Sequence, residues 1–225
     1  MVMSLGLLAL AAASLAGVGD MERAPNDTGP SSAGAFNHWL FADNPHNAGW
    51  KAQDYAAFQR MLEDEGVAGI VPTWQLWRVD AQYAARCGTA YFAMPPKEQW
   101  REVVPALRLL RSKVIPVTGP VEVVSAWRSP AINTCIGGAT RSAHLDFKAL
   151  DLVAPSRVAN RRRLFADLCA MQRKAGPGSR IGLGAYYRPD KPDANLEGRF
   201  HIDAHGYRTW GFDYTSKTNP CPDLG

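Results

Sequence analysis

"RSAHLDFKALDL", residues 141–152, decides how the second half of this chain is read. It sets a histidine and an aspartate, His144 and Asp151, on either side of a short linker, and Asp151 opens the apolar run "LVA". The pattern is that of a loop entering a strand with a carboxylate at its start. About fifty residues on, "RFHIDAH" at 199–205 alternates polar and apolar residues. On a strand this alternation places Arg199, His201, Asp203 and His205 on one face and Phe200 and Ile202 on the other. Two imidazoles and one carboxylate are the usual protein ligands of a catalytic zinc, with a fourth position left for water. His144, Asp151 and His201 are therefore the candidate metal ligands. Each also has an ordinary structural reading: His144 as a turn cap, Asp151 as an N-cap or surface carboxylate, His201 as a satisfied sheet histidine.

Hydrolysis around such an ion needs a base near the water and a cation for the substrate or developing oxyanion. Asp203, two residues beyond His201 on the same face, is the first candidate base, its structural reading being a carboxylate that orients His201 or pairs with Arg199, and Glu197, at the mouth of the strand, is the second. Arg128, in "SAWRSP", is the candidate cation, because a guanidinium fork matches a carboxylate bidentately. His205 reads as a rim residue, and His38 and His46 as incidental surface residues.

The longer run "VVSAWRSPAINTCIGGATRSAHLDFKALDL", Val123 to Leu152, resembles the zinc D-Ala-D-Ala metallopeptidase family. In that family an S-x-x-R-S-P-x-x-N turn leads through G-G to S-x-H-x-x-G-x-A-x-D, on a zinc-site scaffold shared with lysostaphin-type peptidases and the Hedgehog domain. The matching positions are Ser125, Arg128, Ser129, Pro130, Asn133, Gly137, Gly138, Ser142, His144, Ala149 and Asp151, and "RFHIDAHG" is similar to the family's last strand. The resemblance implies Zn2+ held by His144, Asp151 and His201, with Arg128 and Ser142 binding substrate. It implies hydrolysis of peptide bonds next to D-amino acids in peptidoglycan stem peptides, as a D,D-carboxypeptidase or endopeptidase. A D-Ala-D-Ala dipeptidase, or an inactive peptidoglycan-binding module on the same scaffold, is the alternative. Three positions depart from the pattern. The family glycine between the first two ligands is Phe147, a residue not free to take positive φ. Gly198 stands where many relatives have an acidic residue, and Arg199 where others have a histidine.

The rest of the chain sets the frame. At 225 residues with 46% apolar content it suffices for one ordinary domain and a real core. The net charge of +4, without basic runs interleaved with aromatics, argues against nucleic acid as a partner. The cluster "RVANRRRLF" reads as a helix with a solvated face. An apolar stretch from Leu5 to Ala13, followed by Ser14 and Ala16, reads as a signal peptide over 1–16, with an uncleaved anchor or a misplaced start as alternatives. Export to the periplasm or beyond is therefore expected, with no stable membrane span after processing, and a monomer. In an exported chain the four cysteines, Cys87, Cys135, Cys169 and Cys221, suggest up to two disulfides, whose pairing is open.

Residues 17–49, rich in Gly, Pro, Ser, Asn and Asp, read as a linker or loosely held arm. Residues 50–120 read as a helical N-terminal part. It contains one helix through Tyr55, Phe58, Met61 and Leu62 that stops at Gly66, and another over 95–113 with Pro105 as a break. Residues 121–215 form the catalytic core, with a strand in "GPVEVVSAW", a helix over 155–174 and short strands in "RIGLGAYY" and "GRFHIDAHGYRTWGF"; 216–225 is a tail. Helices first and short strands later make an α+β fold, with a small, mainly antiparallel sheet carrying the zinc site and packed with helices.

Overall fold

In the computed structural model of the chain, residues 29–42, 49–195 and 197–224 are described. The segment read as a signal peptide, and His46, lie outside them. Among the described residues are seven α-helices and a five-stranded sheet. The helices are α1 (Ala33–Phe41), α2 (Gly49–Asp64), α3 (Ala81–Cys87), α4 (Val104–Leu109), α5 (Ile115–Thr118), α6 (Pro130–Cys135) and α7 (Arg161–Ala175). The strands are β1 (Glu122–Ser125), β2 (Ala149–Val153), β3 (Gly182–Ala185), β4 (Phe200–Asp203) and β5 (Arg208–Trp210). They lie in the order β1-β2-β4-β3-β5, antiparallel except that β3 and β5 run parallel. The α+β reading holds. No helix among the described residues is long and apolar enough to cross a membrane.

Two corrections concern the ends. Residues 33–41, within the expected linker, form α1, started by the Ser32 hydroxyl accepting from the Ala35 amide. Phe36 and Leu40 are buried in the same hydrophobic cluster that runs through the sheet residues Leu150, Leu183 and Ile202. The expected tail also packs inward, with Cys221 and Leu224 in that cluster. A further helix not read in the sequence, α3, begins where the Asp80 carboxylate accepts from the amides of Gln82 and Tyr83. Pro105 does fall at a join: a 3-10 stretch ends at Val103 and α4 begins with the proline in its first turn.

The helical and sheet parts share one core rather than facing each other across a seam. Phe58 on α2 packs on Trp77, Trp100 and Phe147, with ring centroids 5.6, 5.4 and 6.0 Å away. Disulfides reinforce this packing. Cys87–Cys135 ties the end of α3 to the end of α6, and Cys169–Cys221 ties α7 to the C-terminal turns.

Phe147 resolves the missing glycine. It adopts the left-handed conformation the turn requires (φ 60°, ψ 28°) despite its Cβ, and its ring is completely buried. The strain costs about 1–2 kcal/mol, and burying a phenylalanine ring recovers about 1.5–3 kcal/mol. The bend is thus held by core packing instead of by backbone freedom.

Candidate metal centre

The sheet register brings the ligands together. Asp151 on β2 lies directly opposite His201 on β4, and His201 lies opposite Gly184 on β3. Opposed residues of an antiparallel pair point to the same face, so the carboxylate and the imidazole meet without a loop between them. Asp151 sits mid-strand rather than at the strand's start. His144 comes from the 3-10 turn before β2, which Phe147 closes. Its Nδ1 lies 2.6 Å from the carbonyl oxygen of Ala126, and its own carbonyl accepts from the Arg128 amide at 3.0 Å. Those two bonds fix its ring against the strand end after β1 and aim Nε2 at the other ligands.

The three ligand atoms form a nearly equilateral triangle. His144 Nε2 is 3.1 Å from His201 Nδ1 and 3.2 Å from Asp151 Oδ1, and His201 Nδ1 is 3.1 Å from Asp151 Oδ1. Bonds of about 2.0–2.1 Å in a tetrahedron give ligand–ligand edges of about 3.3 Å, close to those separations. All three residues are buried, and they are the His/Asp group among the described residues that could hold a metal ion. Burial and the mutual contacts of the three residues set their protonation. Burial lowers the pKa of His144 and so favours the neutral imidazole. Burial alone would raise that of Asp151, but His144 and His201 hold its carboxyl well below the usual range. For His201 burial works downward, yet its hydrogen bonds with Asp151 and Asp203 win and raise its pKa.

Beyond the triangle, the expected site residues separate into two groups. Arg128 and Ser142 line the same cavity of about 410 Å³ as the ligands. Arg128 is 7% exposed; its Nη2 donates to Asp151 Oδ2 at 3.3 Å and its Nη1 reaches Asn133 Oδ1 at 3.5 Å. Its buried Nε has no partner. The Ser142 hydroxyl accepts from the His144 amide at 3.4 Å.

The two residues expected as bases are not brought to the triangle. Asp203 is completely buried, and its Oδ2 accepts from His201 Nε2, the nitrogen remote from the other ligands, at 2.9 Å. Its oxygens also take bonds from Arg208 at 3.0 and 2.7 Å and from the His205 amide at 2.8 Å. Burial raises its pKa, but His201 and Arg208 more than compensate and bring it to about 2. This is the arrangement of a carboxylate that fixes a ligand imidazole's tautomer and angle. Glu197 is exposed in the turn before β4, 3.5 Å from Arg199. Arg199 in turn pairs with the buried Asp80 at 2.5 Å, so it joins β4 to the cap of α3. His205 is an exposed residue beyond the strand, and His38 is exposed on α1.

The cavity also contains residues the sequence did not single out, chiefly Tyr83, Tyr186 and Trp210. Tyr83 lies with its ring 5.3 Å from the Arg128 guanidinium and 5.9 Å from that of Arg199. Burial and the nearby Asp151 push its phenol up to about 12 and push that of Tyr186 well above the ordinary value. Nothing local in "DAQYAARC" marks Tyr83. For Tyr186 the signal was Gly184 two residues earlier, and it becomes informative only once β3 is known to pair with β4.

A buried histidine–aspartate–histidine triangle lining a cavity defines a candidate metal site. The family model described as Peptidase M15 matches residues 85–186, from the end of α3 through β3, a span that includes Arg128, His144 and Asp151 and stops short of His201. That match supports assignment to the zinc D-Ala-D-Ala metallopeptidase family, and buried His144, Asp151 and His201 fit its metal. No curated protein and no solved structure matches the chain.

Proposed function

We propose that the chain is an exported zinc metallopeptidase that hydrolyses peptide bonds next to D-amino acids in peptidoglycan stem peptides, as a D,D-carboxypeptidase or endopeptidase. The observation that carries this reading is the triangle of His144, Asp151 and His201 beside a buried arginine with an unpartnered Nε. Zinc held there would lower the pKa of a water ligand to about 7 and polarise a carbonyl oxygen.

The protein's own groups supply the rest. Arg128 presents its remaining donors to a substrate carboxylate or carbonyl, and its bond to Asp151 Oδ2 keeps Oδ1 turned toward the two imidazoles. Ser142 sets the 3-10 turn that carries His144 and offers its hydroxyl to the bound peptide. Asp203 acts as the orienting partner of His201 rather than as the base, because every direction from its carboxylate is already taken. Glu197 is not among the residues lining the cavity and lies beside Arg199. The apolar stretch from Leu5 to Ala13, read as a signal peptide over 1–16, and the two disulfides are what favours export in this reading.

One observation favours a second reading: apart from Asp151, no carboxylate lines the cavity among the described residues. A scaffold that binds stem peptides without cleaving them would look the same. Digestion of purified muropeptides with zinc-loaded protein, followed by mass spectrometry with and without chelator, separates the two. Cleavage abolished by chelator supports the peptidase; retained binding with no cleavage supports the binding module.

A further inference from the structure

One tyrosine shares the cavity with the ligand triangle and has no role in holding the metal. Tyr186 lies two residues past Gly184, the register partner of His201. A methyl group placed on Gly184 would lie 2.9 Å from the Tyr186 hydroxyl oxygen and 2.9 Å from His201 Cβ. The phenol is therefore laid across the notch that the glycine leaves, with its hydroxyl beside His201. On the other side of Gly184, its partner in β5 is Trp210, whose ring centroid is 5.0 Å from that of His201. The Trp210 indole interacts with the Tyr186 side chain and offsets part of the upward push that burial gives its phenol. Indole can only donate, so the phenol oxygen acts as acceptor there and its own proton remains to be given elsewhere. No acceptor for that proton occurs among the described residues, and the cavity it lines is the one floored by His144, Asp151 and His201.

We propose that Tyr186 is a catalytic hydrogen-bond donor, whose O–H, polarised by Trp210, meets the substrate carbonyl oxygen as that oxygen gains negative charge. The inference rests on the peptidase reading and deepens it. Arg128 is pinned to Asp151 and Asn133 and serves the ground state and transition state alike. Tyr186 adds a donor aimed where charge develops, which is the contribution that raises kcat rather than lowering KM. Chained hydrogen bonds strengthen one another, so the Trp210 N–H makes the phenol a better donor.

The test uses the zinc-loaded full chain with Tyr186→Phe, which keeps the ring and removes only the hydroxyl. On a stem peptide that the wild type cleaves, kcat should fall about 10²–10³-fold, with KM and zinc content unchanged. Affinity for a phosphinate analogue of the tetrahedral adduct should fall by the same factor, while affinity for the product peptide stays as in the wild type. Trp210→Phe should give a smaller loss of the same kind. A kcat within about twofold of wild type, or a parallel loss of product or zinc binding, overturns the proposal and leaves the peptidase reading standing. A wild-type protein that neither cleaves nor binds the phosphinate overturns both.

Discussion

Asp203→Asn separates two roles that a carboxylate beside a ligand histidine can play. The substitution is nearly isosteric, so the fully buried site keeps its shape. It removes the charge that accepts from His201 Nε2 at 2.9 Å and from Arg208 at 3.0 and 2.7 Å. If Asp203 orients His201, the loss falls on metal binding: about 10–100-fold in zinc affinity, as for other partners behind a ligand imidazole, or about 1.4–2.7 kcal/mol. The Arg208 half contributes little beyond this, because its side chain is 43% exposed and solvent screens the pair. Competition with a chelating dye measures the affinity directly, and activity at saturating zinc then recovers most of the wild-type rate. Wild-type zinc affinity together with a rate loss that saturating zinc does not restore would refute the orienting role and return Asp203 to the position of base. Gly182→Ala provides an independent arm: its methyl would lie 2.5–2.7 Å from the Asp203 carboxyl group, so it should weaken zinc in the same way.

Other expectations follow from the same geometry. Arg128→Ala should retain zinc and lose about 10²-fold or more in kcat/KM; loss of the metal would contradict its assignment to substrate. His201, hydrogen-bonded to Asp151 and Asp203, has a raised pKa while burial lowers that of His144, so zinc should displace a proton from His201, increasingly as pH falls. Calorimetry in buffers of different ionisation enthalpy counts it, and zero release would contradict the scheme. Without zinc, the His201 contribution to stability is present below the ordinary histidine pKa of about 6.5 and is lost as pH rises through the raised value. Asp203 has the opposite sign: its contribution is present above about pH 3.9 and is lost as pH falls toward about 2, which an acid-unfolding curve of Asp203→Asn should lack. Phe147→Gly should be less destabilising than Phe147→Ala by about 1 kcal/mol, because glycine relieves the left-handed strain; denaturant midpoints in the usual order, with alanine better, would remove that strain from the account. Each disulfide closes a loop with a separation of 48 or 52 residues, so its removal should cost about 4 kcal/mol. A shift below about 1 kcal/mol would imply a denatured state already compact there.

The ligands were legible because their signal is local: a motif before β2 and a two-residue alternation on β4. Alternation assigns a face, however, and not which nitrogen of a ring a neighbour reaches. Asp203 therefore read equally as a base or as a partner orienting His201, and the structure puts it behind His201. The α1 segment was hidden by composition. Its flanks are rich in glycine, serine and proline, although Phe36, Trp39 and Leu40 already stand at helical spacing. Phe147 ran against local preference, and the ring contact with Phe58 that compensates it comes from 89 residues earlier in the chain, where no motif connects the two. Tyr186 belongs to the same class: its place over the site depends on a glycine notch created by strand pairing.

The central claim is that His144 Nε2, Asp151 Oδ1 and His201 Nδ1 hold one zinc ion. Metal analysis of the purified chain, beside His144→Ala, Asp151→Asn and His201→Ala, tests it most directly. About one equivalent in the wild type and a loss in each folded variant is the expected result. Stoichiometric zinc retained by any of the three would contradict it.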